Sequence, residues 1–251
     1  MLISSAAIAD AVAEAGARPA DTLWVHSGLQ RSGRVAGDSR EAKLDTIIEG
    51  LGAHAAALWM PTFTYSFTNG EDYEPARTPS TVGLLTEHFR AGARRTADPI
   101  FSAAVRGDAP EHLFAIRDQV CFGPESVFAH LAEADALLAF FDVGFELCTF
   151  IHYVEQTLGV AYRYLKPFTG DVVADGVRTP VQARFFVRRL EEDVVTYLTP
   201  LWDSLVAAGL ARTASIPRGP TVRAVRARDV AAHAAERLAA EPDFLLERGH
   251  R

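Results

Sequence analysis

A chain of 251 residues, 49% of them hydrophobic, is enough for one well-packed α/β domain, and a net charge of -7 argues against a nucleic-acid surface, which needs clustered Lys and Arg. Two cysteines, Cys121 and Cys148, leave no disulfide framework and point to a reducing cytoplasm. No apolar run approaches the about 18 residues needed to span a bilayer, so no membrane partner is expected.

The first twenty residues alternate apolar and acidic positions without a basic segment before an apolar core, so no secretory leader is expected. Within them, 4–16 reads as a helix, capped by Ser4 or Ser5 and ended by Gly16. A short apolar strand over 22–26 runs into the polar loop 27–33. A helix is expected over 38–52, with Asp38 or Ser39 as its cap. Residues 55–60 form a second buried strand ended by Pro61. The stretch 61–79 has no helical period and reads as a long loop, a feature that in compact domains is usually functional. The triplet Thr78-Pro79-Ser80 predicts a helix start, continuing through Arg90. Further on, 136–144 is a buried strand and 149–158 the helix after it. Residues 181–187 alternate as an exposed or edge strand, 189–209 read as a long amphipathic helix, and 228–240 as another. Alternating helix and strand signals favour an α/β fold with a largely buried sheet, and the absence of repeats or linkers favours a single domain over 1–251.

Several motifs could carry chemistry. On a helix over 149–158, His152 and Glu155 lie at i, i+3 on one face. A carboxylate on one imidazole nitrogen fixes the tautomer and makes the other a better base; the plainer alternative is one surface ion pair. The Gly-containing loop 26–37 lies between strand and helix, where backbone N–H groups can meet an anion. It is neither a Walker loop nor a dinucleotide fingerprint, and a plain turn is the alternative. Gln30-Arg31-Ser32-Gly33-Arg34 begins the acyl-CoA loop of the GCN5-like acetyltransferases, but Val35 breaks the pattern. The start of 78–90 is either a second anion-facing helix end or simple capping. Arg95, Asp98 and Ser102 share a Pro-containing loop, where an Arg–Asp pair is the structural alternative. His26 ends a strand and could bond a ligand or satisfy the backbone. The remaining histidines, His250 among them, have no partner at informative spacing. No G-x-S-x-G, H-E-x-x-H or paired C-x-x-C is present, so neither a serine hydrolase nor a metal site is expected.

Taken in order, V-H-S-G-L…S-G (25–33), M-P-T-F-T (60–64), T-P-S-T-V-G…E-H-F-R (78–90), R-T-A-D-P…S (95–102), F-G-P-E-S (122–126) and T-F-I-H-Y-V-E (149–155) resemble the aminoglycoside 3-N-acetyltransferase family. The similarity spans about residues 20–170. Beyond it, 163–170 still looks like the family. The resemblance implies one α/β domain with a central mixed sheet flanked by helices, distinct from the GCN5-like fold. It implies transfer of an acetyl group from acetyl-CoA to the amine of a small-molecule amino sugar, with His152 as general base and Glu155 orienting it. The coenzyme is then expected along His26, Ser27, Gly28, Leu29, Ser32, Gly33 and Val35, and along Thr78, Ser80, Thr81 and Gly83, with the Ser102 hydroxyl behind the reacting carbonyl. Tyr65, Asn69, Glu71, Asp72 and Tyr73 are the expected acceptor contacts because they populate the long loop, and Asp98 is expected to face the acceptor too. A homodimer is the family-level expectation. The family's antibiotic-modifying members usually carry R-S-x-H-P where this chain has Arg95-Thr96-Ala97-Asp98-Pro99, and the loop after Pro61 is short. Both departures resemble the branch acting on nucleotide-linked amino sugars, which is the acceptor expected here. An aminoglycoside acceptor and a catalytically silent, coenzyme-binding relative are the alternatives.

Overall fold

A computed structural model describes residues 2–189 and 194–248. The chain opens with α1 (Ser5–Glu14), β1 (Asp21–Ser27), α2 (Arg40–Gly52) and β2 (Ala55–Pro61). It continues through α3 (Leu84–Arg90), β3 (Arg94–Arg95), β4 (Ala103–Gly107), β5 (Gln119–Val120), α4 (Val127–Glu133) and β6 (Leu137–Phe141). Then come α5 (Ile151–Leu158), β7 (Arg163–Ala174), β8 (Val177–Arg188) and β9 (Val194–Thr196). The last elements are α6 (Thr199–Ala207), β10 (Ala211–Ser215), β11 (Thr221–Arg226), α7 (Ala227–Ala240) and β12 (Leu246–Arg248).

Seven strands form the central sheet in the order β10-β11-β6-β1-β2-β4-β3. β1 runs parallel to both β2 and β6, and the outer strands are antiparallel, so the sheet is mixed as expected. Side chains alternate across a strand, and this alternation builds two cores. Trp24, Trp59, Leu138 and Phe140 point into one, beneath α4, α5, α6 and α7. Leu23, Val25, Leu58, Met60 and Phe141 point into the other, beneath α1, α2 and α3. The first core is rich in fully buried phenylalanines, Phe122, Phe128, Phe140 and Phe150 among them, each contributing up to about 3 kcal/mol by burial. Among the described residues no helix is long and apolar enough to cross a membrane.

The sequence caps hold at α1 and α2, where the Ser4 and Ser39 hydroxyls accept from the backbone N–H of Ala7 and Ala42. Three expectations need correction. The helix expected from Thr78 begins at Leu84, because Gly83 sits at φ +146°, a conformation outside any helix. The helix expected over 189–209 is only Thr199–Ala207, preceded by the strand Val194–Thr196; Pro200 in the first turn starts a helix but cannot sit in its middle. Residues 190–193 of that expectation, like His250, lie outside the described residues. The strand expected at 181–187 belongs to a long β7–β8 hairpin turned by Asp175-Gly176, both at positive φ. It is flanked by β5 and β7 and so is not an edge, while the expected alternation holds over its first half, with one face exposed there.

Candidate active site

The carboxyl ends of β1, β2 and β6 lie side by side, and three loops leave from them. This is where open α/β sheets form ligand crevices. The loop after β1 is stapled to the turn after β6. Gly28 N donates to Phe141 O at 2.8 Å, and Arg31 donates to Asp142 from its backbone N and its Nε, each at 2.6 Å. A Cβ on Gly28 would come within 2.7 Å of the Val143 side chain and 3.0 Å of Asp142 O, so the close approach requires glycine.

The turn after β6 feeds α5. Ile151, Val154 and Glu155 form the buried stripe of this helix, so a carboxylate stands where an apolar side chain is expected. Glu155 is completely buried and accepts from Tyr162 Oη at 3.1 Å. Its Oε2 lies 2.7 Å from His152 Nδ1. Arg163 Nε is 2.8 Å from the same oxygen, an ionic contact rather than an aligned hydrogen bond. Burial pushes the Glu155 carboxyl up, but the His152 contact and the Arg163 charge outweigh it and hold the carboxyl below its ordinary range. Burial and the neighbouring carboxylate push the Tyr162 hydroxyl far up, so it stays a donor. The pair is therefore not the surface ion pair that spacing alone allowed.

With Nδ1 committed to Glu155, His152 Nε2 has no hydrogen-bond partner among the described residues. The ring packs edge-on against Phe122 at 5.5 Å and lines a cleft of about 330 Å³ with Glu146, Thr149, Arg163, Arg188 and Thr196. Such an imidazole, oriented and partly exposed, can take a proton from a bound molecule. Tyr162 carried no signal in the sequence, and Arg163 only opened the family-like run 163–170, with nothing to tie it to Glu155. They meet Glu155 only because the start of the hairpin folds back over α5.

The other expected site residues divide. Ser27, Gly28 and Leu29 are partly exposed and Gly33 is exposed, while the buried Ser32 Oγ has no protein partner. Thr78, Ser80, Thr81 and Gly83 flank the third loop, with Thr81 Oγ1 donating to Phe63 O at 3.1 Å and Thr78 Oγ1 accepting from Glu74 N at 2.8 Å. Tyr65, Asn69, Glu71 and Asp72 are exposed; Asp72 pairs with Arg178 of β8.

Five side chains are placed otherwise than expected. Val35 is fully buried in the core beneath α1–α3. His26 stacks on Phe140, and its Nε2 accepts from Trp24 Nε1 at 2.9 Å; burial drives its pKa down to about 3, so it is a neutral core acceptor. Tyr73 is fully buried and donates to Thr96 O at 3.2 Å. Ser102 is enclosed too, donating to Thr62 O at 2.8 Å and accepting from Arg95 Nε at 3.1 Å. Asp98 accepts from the backbone N–H groups of Ile100 and Phe101 at 2.9 and 2.8 Å and from Cys121 Sγ. It makes no pair with Arg95, whose guanidinium bonds Thr62, Pro75, Thr78 and Ser102 instead.

The family described as Aminoglycoside 3-N-acetyltransferase matches residues 24–239. Solved structures with the same fold include aminoglycoside acetyltransferase AAC(3)-Xa, at 19% identity and a TM-score of 0.80, covering 97% of this chain and 94% of that one. AAC-IIIb in a binary complex with CoASH aligns at 18% identity and a TM-score of 0.78, covering 96% and 97%. AAC(3)-IVa apoenzyme aligns at 23% identity and a TM-score of 0.73, covering 98% and 92%. No curated relative matches the chain in sequence.

Proposed function

The chain belongs to the aminoglycoside 3-N-acetyltransferase family, and on that premise we propose that it transfers an acetyl group from acetyl-CoA to an amine of an aminoglycoside-type amino sugar, with His152 as general base. The observation that carries this reading is His152, which lines the cleft with its Nδ1 tied to the fully buried Glu155 and its Nε2 without a partner among the described residues. An ammonium has no lone pair, so a proton must leave the acceptor nitrogen before or during attack. A positioned imidazole contributes about 10²–10⁴ in rate at this step. Glu155 holds the ring so that Nδ1 carries the hydrogen and Nε2 the lone pair.

Acetyl-CoA is the family's co-substrate, and it supplies an activated acyl group whose thiolate leaves readily, with a solution pKa of about 8.5 for a comparable thiol. The loop after β1 suits such a ligand on two counts. Gly28 lets the loop pack closely on the turn after β6, and the buried Ser32 Oγ lacks a protein partner. A backbone N–H of the 27–33 loop other than those of Gly28, Arg31 and Ser32, which are bonded to Phe141 O, Asp142 and Leu29 O, is the donor we assign to the developing oxyanion. Two free cysteines and this co-substrate support a cytoplasmic reaction.

The family match and the structural neighbours favour an aminoglycoside over the nucleotide-linked amino sugar expected from the motifs. The net charge of -7 also suits a polycationic acceptor. Coenzyme A thiol release, measured with acetyl-CoA against aminoglycosides and against nucleotide-linked amino sugars, separates the two. Release with aminoglycosides is the expected result. Coenzyme binding without release for any amine would mark a silent relative. In His152→Ala, kcat should fall about 100-fold or more while coenzyme binding persists; wild-type turnover in that variant would rule His152 out as the base.

A further inference from the structure

Glu155 Oε2 is shared. His152 Nδ1 approaches it from α5 at 2.7 Å and Arg163 Nε approaches it from β7 at 2.8 Å, with the Arg163 side chain 5% exposed. The rest of the guanidinium is fixed as well: Nη2 donates to Thr196 Oγ1 of β9 at 3.0 Å and Nη1 to Phe186 O of β8 at 3.4 Å. Three strands outside the central sheet thus hold one cation against the carboxylate that orients His152. We propose that Arg163 is a positioning residue that sets the proton affinity of the His152–Glu155 pair, cancelling the carboxylate's charge so that Glu155 can fix the imidazole tautomer without drawing a proton onto the ring. This rests on the reading of His152 as the base.

An uncompensated carboxylate beside an imidazole favours the imidazolium, which cannot accept a proton. A buried carboxylate without a countercharge has a second route to the same dead end, taking up the proton itself. In both cases the pair holds one proton too many, and the two sites titrate as a single step. The guanidinium opposes both outcomes because it disfavours any added positive charge at the pair.

Among the described residues the other titratable and charged groups around His152 are few. Tyr162, just before β7, donates to Glu155 Oε1 at 3.1 Å and is neutral, with Asp243 among its charged neighbours. Glu146, ahead of α5, and Arg188, at the end of β8, carry opposite charges on the cleft wall. Cys148 also lines the cleft and is held protonated by burial. Among the described residues Arg163 is the cation in direct contact with Glu155.

The test compares kcat/KM against pH for the wild type, Arg163→Met, Arg163→Gln and Arg163→Lys, using acetyl-CoA and an accepted aminoglycoside. The His152 imidazole is titrated in parallel by NMR. Removing the charge should move the acid limb up by about 1 to 3 pH units, so that activity lost at neutral pH returns at alkaline pH. The limb should move in both neutral variants, although glutamine keeps an N–H donor, and stay near the wild-type position in the lysine variant. A uniform loss of kcat with the limb in place, an equal shift in the lysine variant, or failure of both neutral variants to fold would make Arg163 a structural residue only. The NMR titration separates this from failure of the base reading: if His152→Ala kept its turnover, the ring's titration would still report whether the pair responds to the guanidinium.

Discussion

His26 and His152 are the same side chain put to opposite uses by their surroundings. His26 lies at the end of β1, stacked on Phe140 and accepting from Trp24, and burial lowers its pKa from 6.5 to about 3. The unfolded chain protonates this ring below pH 6.5 while the folded chain refuses the proton, so stability falls as pH drops from about 6.5 toward 3. At pH 5 the loss attributable to His26 is about 2 kcal/mol. His130, whose pKa burial also lowers, adds in the same direction, so the contribution is read as a difference between variants. His26→Gln can still accept from Trp24 and carries no titrating group. Urea midpoints at pH 7 and pH 5 should fall further apart in the wild type than in His26→Gln, and equal falls would show that His26 is not the proton-excluding group. His152, partly exposed and bonded to Glu155, was marked by its spacing, which also allowed a surface ion pair, and by the family resemblance of the segment around it. The sequence could not tell the two environments apart, because burial of a ring depends on what packs over it.

At the scale of elements, the loop between β2 and α3 shows how an irregular segment is held without regular hydrogen bonding. Arg95 of β3 reaches into it and donates to the carbonyls of Thr62, Pro75 and Thr78 and to the Thr62 and Ser102 hydroxyls, with the Tyr73 ring 5.0 Å away on one side. Its direct partners are neutral acceptors. Arg95→Ala would strand several buried oxygens at once, at a cost of about 3 kcal/mol. The melting temperature should drop, and limited proteolysis should cut first within 62–83. A variant that melts like the wild type with this loop still protected would show that the network does not hold it. The helix ends that rest on local chemistry, Ser4 and Ser39, were legible. The start of α3 was not, because Gly83 outweighs the Thr-Pro-Ser signal that precedes it.

For the molecule as a whole, both cysteines lie in the core on the α4–α7 side of the sheet, and burial raises both thiols, Cys148 to about 12. The native protein should therefore react negligibly with a thiol reagent at neutral pH and yield two thiols once denatured. Rapid labelling of the folded enzyme would mean that this side is less tightly packed than described. The expected silence also leaves coenzyme A release free of background from the enzyme. The order of motifs along the chain was sufficient to determine the family, the mixed α/β class and the His152–Glu155 spacing, because periodicity, capping and motif order are written locally. Only the tertiary structure decided that Glu155 is buried, that Arg163 and Tyr162 share it, and that His26, Val35, Tyr73, Asp98 and Ser102 face inward. The burial depends on segments far apart in the chain packing together, and the Tyr162 and Arg163 contacts on how the chain turns from α5 into β7, neither of which a periodic pattern encodes.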